Sequence, residues 1–448
     1  MKRRAFLTLS SAVVAGTFYR PSSASRQTSR LTNWAGNVRY STERVDYPES
    51  LEDVQRLVKQ HERLKVLGTR HCFNRIADSR DRLVGVSRLN KVVGLDAERR
   101  QVTVEAGITY GQLCPYLHDK GFAVHNLASL PHISIGGACA TATHGSGVIN
   151  GNLATAVRGL EMVTADGSVV TLSAAADPQK LNAAVVGLGA LGVVTKVTLA
   201  LQPTFSMRQY VYERLPVSQL TDHFQQIMAA GYSVSLFTDW QRPSVNEVWV
   251  KSRVDAAEPP EADMTQYGAT RATKNLHPIA ELSAVNCTEQ MGVPGPWFER
   301  MPHFRMGFTP SSGKELQAEY FVPQQHAVEA ILAISRLGPK IGPHLYISEI
   351  RAIAADDLWM SPCYKEPSVA IHFTWKQDWP AVSRLLPVIE KELAHYKAKP
   401  HWGKQFSVGR PTLAALYERL PDFRRQIAEY DPQGKFRNEF LTTYIYAA

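Results

Sequence analysis

The stretch Ala128-Ser129-Leu130-Pro131-His132-Ile133-Ser134-Ile135-Gly136-Gly137-Ala138-Cys139-Ala140-Thr141-Ala142-Thr143-His144-Gly145-Ser146-Gly147 constrains this chain more than any other part of it. Its Gly, Ala, Ser and Thr residues let a backbone approach a ligand closely and offer it N–H groups and hydroxyls. A second segment of the same kind, Gly68-Thr69-Arg70-His71-Cys72-Phe73-Asn74, follows the short apolar run Leu64–Leu67 and adds an imidazole. Together they predict a phosphate-bearing cofactor held by backbone, with His71 as its candidate covalent partner. The plainer alternative is two loops of small residues with an incidental histidine. The order and spacing of the segments within one N-terminal half weigh against it.

At 448 residues the chain is too long for one ordinary core, so two domains are expected. Hydrophobic residues make up 44% and charged ones 20%, the ordinary balance of a soluble globular protein, which suggests neither a disordered chain nor a membrane protein. The formal charge of +9 falls to +5 without Lys2, Arg3, Arg4 and Arg20 of the first 24 residues, which hold no acid. No basic run with interleaved aromatics occurs elsewhere, so no nucleic-acid partner is expected.

Arg3-Arg4-Ala5-Phe6-Leu7 and a short apolar stretch to Phe18 read as a twin-arginine signal over 1–24, with cleavage near Ala24. The expected partner is the twin-arginine translocation machinery, and the expected location is the periplasm or outside the cell. The apolar stretch is too short to span a bilayer, so no stable membrane insertion of the mature protein is expected. Five cysteines with no Cys-x-x-Cys pair argue against a disulfide framework or a structural zinc site, leaving one bridge open.

Ser50-Leu51-Glu52-Asp53 reads as a helix start, Gln101–Glu105 as a strand, and Thr109–Lys120 as a helix stopped by Gly121. Leu160–Leu172 reads as a hairpin through Asp166-Gly167. Gly187-Leu188-Gly189-Ala190-Leu191-Gly192 matches a dinucleotide fingerprint, but the residues after it alternate as a strand where that fingerprint opens a helix. From about Phe205 strand-like pieces (Ser233–Phe237, Glu247–Lys251, Tyr346–Ile353, Val369–Trp375) alternate with helical ones (Gln219–Ala230, Gln324–Leu337, Trp379–Lys391). A polar insertion occupies roughly 254–281.

The His71 turn, the Ser129–Gly147 segment and Pro400-His401-Trp402-Gly403-Lys404 resemble the aldonolactone-oxidase branch of the vanillyl-alcohol-oxidase flavoproteins, and within it the members that oxidise alditols. The likeness runs from about Asn33 to Phe440 and includes Ser233–Trp240, Asn286–Gln290 and Val293–Trp297. It implies an α+β, two-domain FAD-linked oxidase fold. The FAD-binding domain would take 31–205, a mixed α/β substrate or cap domain 206–398, and a C-terminal segment at 399–448 would complete the first. It also implies FAD bonded through its C8-methyl carbon to His71, and oxidation of a polyol's terminal hydroxyl with dioxygen reduced to hydrogen peroxide. Family FAD contacts carry over to Gly68, Thr69, Arg70, His71, Cys72, Phe73 and Asn74. They carry over likewise to Ser129, Ser134, Gly137, Thr141, Ala142, Thr143 and His144, to the Gly192-Val193-Val194 turn, and to His401. Relatives commonly place Gly and Ser around the linking histidine. Arg70, unlike a glycine, demands an ordinary backbone conformation or outward projection.

Strand alternation puts Glu349 and Arg351 on one face, and His372 and Thr374 on one face with Ile371, Phe373 and Trp375 opposite. If the two strands are neighbours, a polar patch forms over an aromatic-backed sheet. Oxidising an alcohol removes its proton as well as a hydride, so cations aimed at the hydroxyl oxygen stabilise the developing alkoxide. Arg351 and Lys404 are the candidates, Lys404 also as the base. Glu349 is expected to hold Arg351 or bind a hydroxyl, and Ser129, His372 and Thr374 to bind others. The resemblance independently implies substrate contacts at Ser129, Glu349, Arg351, Thr374 and Lys404. A simple cross-sheet ion pair is the plain reading of Glu349 and Arg351. His132 and His144 either bond the flavin or cap the loop, while His118, His223 and His326 read as surface residues. No metal site is expected from spacing. The rival activities are a sugar-lactone oxidase on the same fold and, more remotely, a flavin-free carbohydrate-binding protein.

Overall fold

Alternating β-branched residues build the first of two large sheets. In Gln101–Glu105, Val102 and Val104 turn into the core while their neighbours stay half exposed. With Val92–Asp96, Val193–Ala200, Val157–Val163 and Val169–Ser173 this strand forms a five-stranded sheet, antiparallel throughout. The hairpin turns at Gly167, whose φ of +84° suits glycine, and the Asp166 carboxylate accepts from the Ser168 amide at 2.9 Å. Thr109 and Gln112 cap the Tyr110–Asp119 helix reciprocally, and Ser50 caps Leu51–Gln60.

The computed structural model describes residues 31–254, 263–307 and 314–446, which pack as one unit. The expected twin-arginine signal at 1–24, Arg3, Arg4 and Ala24 included, lies outside the described residues, as does 255–262 of the polar insertion. None of the five cysteines is paired. No helix among the described residues is long and apolar enough to cross a membrane.

Gly187–Gly192 feeds the strand Val193–Ala200 and no helix, as its alternation requires. Leu188 and Gly189 turn there with φ of 53° and 62°, and the buried Lys65 ammonium fastens their carbonyls at 3.1 and 2.8 Å. Lys65 belongs to a three-stranded parallel sheet (Val45–Asp46, Leu83–Gly85, Lys65–Leu67) that delivers the His71 turn. The C-terminal segment closes this region: Lys435 donates to His61 O at 2.8 Å, and Asn438 donates to Ile76 O and Asp78 O at 3.0 and 2.9 Å.

The second sheet runs Thr270–Arg271, Ser206–Pro216, Ser244–Arg253, Ser233–Thr238, Leu345–Ile353, Ser368–Lys376, Glu315–Pro323 and Lys399–Pro400, with Gly295–Pro296 beside Ser206–Pro216. Every pairing is antiparallel. One face packs under the helices Gln219–Met228, Ala327–Arg336 and Trp379–Leu393, through Val234, Leu236, Ile350, Ile371 and the stacked Phe373 and Trp375. Burial of that face leaves the other free to carry polar groups.

Candidate active site

That other face carries a transverse row. Glu247 pairs with Phe237, Phe237 with Glu349, Glu349 with His372, and His372 with Glu319, so five successive strands contribute one residue each. The strands carrying Glu349/Arg351 and His372/Thr374 are therefore neighbours, as the polar patch required. Thr374 stands opposite Gln317, and Arg351 opposite Ala370, one step along.

Glu319 is the hub of the patch and is fully buried. Its Oε1 accepts from Arg351 Nη2 at 2.7 Å and lies 3.3 Å from His144 Nε2; its Oε2 accepts from Lys404 Nζ at 2.7 Å. Burial alone would raise this carboxyl, but Lys404, His144 and Arg351 overcome it and hold the group well below the carboxylate range. Burial lowers Lys404, and Arg351 adds to that, while Glu319 opposes it. Glu349 forms a looser ion pair with Arg351, its Oε1 3.6 Å from Nε, and accepts its hydrogen bond from His303 Nε2 at 2.7 Å. The expected Glu349–Arg351 pairing is present, and Glu319 adds a shorter, fully buried partner for the guanidinium at 2.7 Å. Burial lowers His372 and His401, and Lys404 lowers them further, so both rings are neutral.

The patch floors a cleft of about 440 Å³ that runs to the His71 turn. Gly68, Thr69, Arg70, His71, Cys72, Phe73, Ser129, Gly137, Thr141, Thr143, His144, Val194 and His401 line it, with Glu349, Arg351, His372, Thr374 and Lys404. Four residues expected at the cofactor do not. Asn74 spends its amide on the carbonyls of Trp402 and Lys404, at 2.8 and 2.7 Å, and so ties the His71 turn to the lysine. Val193 sinks into a core with Val54, Val58 and Phe436, because alternation sends it opposite Val194. Ala142 turns at φ 54° and is buried, and Ser134 lies behind the lining with its hydroxyl buried. Of the two alternatives for Arg70, outward projection holds: its exposed side chain reaches Thr32 O at 3.2 Å, while the backbone takes a left-handed φ of 60° and not an ordinary one. His118, His223 and His326 lie at the surface half-buried, packing on Phe298, Tyr267 and Tyr396.

Sequence reading missed Glu319, although Glu315-Leu316-Gln317-Ala318-Glu319-Tyr320 alternates and puts three polar side chains on one face. It also missed His303, which lies in an irregular segment with no periodic signal. His144, Glu319 and His401 come close enough to hold a metal ion. The cations of Arg351 and Lys404 already occupy both Glu319 oxygens, and His401 Nδ1 accepts from the Gly403 amide at 3.0 Å.

Residues 42–173 match the model of an FAD binding domain, and 310–444 that of D-arabinono-1,4-lactone oxidase. An alditol oxidase from a Streptomyces species is 44% identical over 414 residues, 92% of this chain and 98% of its own. The chain belongs to the aldonolactone-oxidase branch of the vanillyl-alcohol-oxidase flavoproteins. It is an FAD-dependent oxidoreductase. Within this branch the L-gulonolactone oxidase of Bos taurus is more distant, 26% identical over 93% of this chain and 98% of its own. Cholesterol oxidase from B. sterolicum shares the two-domain fold, with a TM-score of 0.76 at 15% identity over 93% of this chain and 96% of that one.

The residues present fit FAD. A Cβ on Gly68 would stand 3.0 Å from the Ser134 hydroxyl and 3.7 Å from Gly137 Cα, so the two small-residue segments close on each other there with no side chain to spare. His71 Nε2 lines the cleft with no protein partner, as expected of a group facing a polar cofactor. Burial, and then His132, push His71 down to about 3, which leaves its ring neutral with a free lone pair. Trp34 stacks on that ring at 4.6 Å.

Proposed function

We propose that this flavoprotein is an exported alditol oxidase that converts the terminal hydroxyl of a polyol such as xylitol or sorbitol to the aldehyde, with dioxygen reduced to hydrogen peroxide. The observation that carries the reading is the convergence of Arg351 and Lys404 on one buried carboxylate, Glu319, in the floor of the cleft that reaches the His71 turn. The 44% identity to an alditol oxidase supports the substrate class, against 26% for a lactone oxidase.

The His71 turn and the Ser129–Gly147 segment would hold FAD, which would supply a two-electron acceptor for the hydride and a route for those electrons to dioxygen. Arg351 and Lys404 set two positive groups where the hydroxyl oxygen gains charge, and a cleft poor in water makes them worth more than in bulk solvent. Lys404 acts as the base from its neutral form, which burial favours and Glu319 opposes; it takes the hydroxyl proton and so becomes the second positive group as the oxygen gains charge. Glu319 keeps both cations oriented. Glu349, with His303 on one oxygen, is left to accept from a substrate hydroxyl, and Thr374, His372 and Ser129 bind the others. An anionic substrate would meet Glu349, so a neutral polyol fits best. His71 is proposed to carry the FAD covalently, and the twin-arginine signal to export the protein with its cofactor in place.

Anaerobic stopped-flow mixing with xylitol, sorbitol and L-gulono-1,4-lactone tests the reading. Polyols are expected to bleach the flavin band much faster than the lactone. The reverse order would make the protein a lactone oxidase.

A further inference from the structure

Lys251, in the Ser244–Arg253 strand, is a fully buried lysine outside the cleft. Its ammonium has three donors and no lone pair. Three acceptors meet them: Met301 O at 2.6 Å, Pro302 O at 3.0 Å and His303 Nδ1 at 3.1 Å. Nδ1 of His303 therefore accepts, and the ring proton sits on Nε2, which donates to Glu349 Oε1. Phe237 and Trp249 meet the His303 ring edge to face at 5.4 and 5.3 Å, which prevents it from turning. His303 and Glu349 line the cleft, so Lys251 reaches it only through them.

We infer that Lys251 and His303 are positioning residues whose buried hydrogen-bond chain holds Glu349 ionised, with one oxygen engaged and the other aimed at a substrate hydroxyl. The inference rests on Glu349 being a substrate contact. A buried ammonium is costly unless every donor is matched. Here the match fixes one tautomer in a neighbouring ring, as outer partners of catalytic groups do elsewhere. Two other features agree. Burial, and then the Lys251 charge, push His303 down to about 4, so the ring stays neutral beside the carboxylate. Burial lowers Lys251 itself to about 7, so the ammonium that fixes the His303 tautomer is present below that pH, the range in which the ring is read. Glu349, although buried, is held well below its usual range by Arg351 and His303. A chain of alternating ammonium, neutral ring and carboxylate thus ends at the one oxygen of Glu349 left for a ligand.

The test is a double-mutant cycle on flavin-loaded enzyme, with xylitol as substrate. His303→Gln and Lys251→Met are each expected to raise KM roughly tenfold, the size of one lost charge-assisted hydrogen bond, and to change kcat far less. In a Glu349→Gln background neither should raise KM further, because the chain acts through that carboxylate. Effects that simply add, or a normal KM in both single variants, would overturn the inference. If Glu349→Gln alone leaves KM unchanged, the substrate role of Glu349 fails with it. If that variant raises KM but His303→Gln does not, only the inference falls. A folding failure of the variants leaves the wild-type ring as the arbiter, read by NMR of histidine labelled at Cε1. The His303 signal is expected to report a neutral Nε2–H tautomer from pH 5 to 6.5. A protonated ring or the Nδ1–H tautomer in that range would sink the proposal.

Discussion

Arg351 donates to Glu319 at 2.7 Å across an intervening strand, passing over Ala370, while Glu349 two residues away on its own strand stands 3.6 Å off. The small Ala370 leaves the guanidinium room to cross. Glu319 thereby joins the two cations that the proposed chemistry needs at one point, and it faces a cleft that a polyol would enter.

Glu319→Gln keeps the shape of the side chain but leaves Arg351 and Lys404 buried without their shared counter-charge. Stability of the holoenzyme is expected to fall by about 3–5 kcal/mol, the usual result of breaking a buried pair from one side. Denaturant unfolding followed by flavin fluorescence measures this. A loss below about 1 kcal/mol would mean that water reaches the cations and that the patch is open, not enclosed.

Lys404→Ala is expected to slow flavin reduction by xylitol on the order of a hundredfold with FAD still bound, since its main contribution arises as charge develops on the oxygen. Lys404→Arg should rescue poorly, because a guanidinium keeps the charge but does not act as a base. Anaerobic stopped-flow isolates this step. Near-normal reduction in the alanine variant would leave the role to Arg351 alone.

His71→Ala should give folded protein from which acid precipitation strips the FAD, whereas wild-type pellets stay yellow. The neutral ring, with Nε2 free of protein partners, is ready for bond formation, and the glycine-lined cleft supplies separate binding. Colour released from wild-type protein by acid would rule the covalent bond out.

Glu247 sits at the far end of the transverse row, buried, with Trp249 Nε1 donating to it at 2.7 Å. Burial raises it from 4.5 to about 7. Between those values the folded protein keeps a proton that the unfolded chain has released, so this group's contribution to stability falls as pH rises through that window. Glu247→Gln should therefore melt higher than wild type at pH 8, by on the order of 2 kcal/mol, and match it near pH 4. Equal melting at pH 8 would show the carboxylate to be hydrated.

Replacing Arg3 and Arg4 by lysines should hold active, uncleaved protein in the cytoplasm. Cell fractionation with an activity assay reads this, and undiminished export would remove the twin-arginine reading.

Local chemistry in the sequence was enough to set the strands and their faces. Alternation alone put Glu349 with Arg351 and His372 with Thr374, and it ruled the Gly187–Gly192 turn out as a helix start, because side-chain direction in a strand follows from backbone geometry. The two small-residue segments marked the cofactor cleft for a similar reason: only backbones without side chains pack that closely. Which partners meet across the sheet was decided elsewhere. Register brought Glu319 into line with His372 and Glu349 from a strand that precedes both in the chain. An irregular turn with no period carried His303 to Glu349, and chain direction sent Asn74, Ala142 and Val193 away from the cleft. These are choices between equally polar or equally small neighbours. Local sequence is indifferent among them, and only the packed sheet, where a buried charge must find its counter-charge, makes one arrangement far lower in energy than the rest.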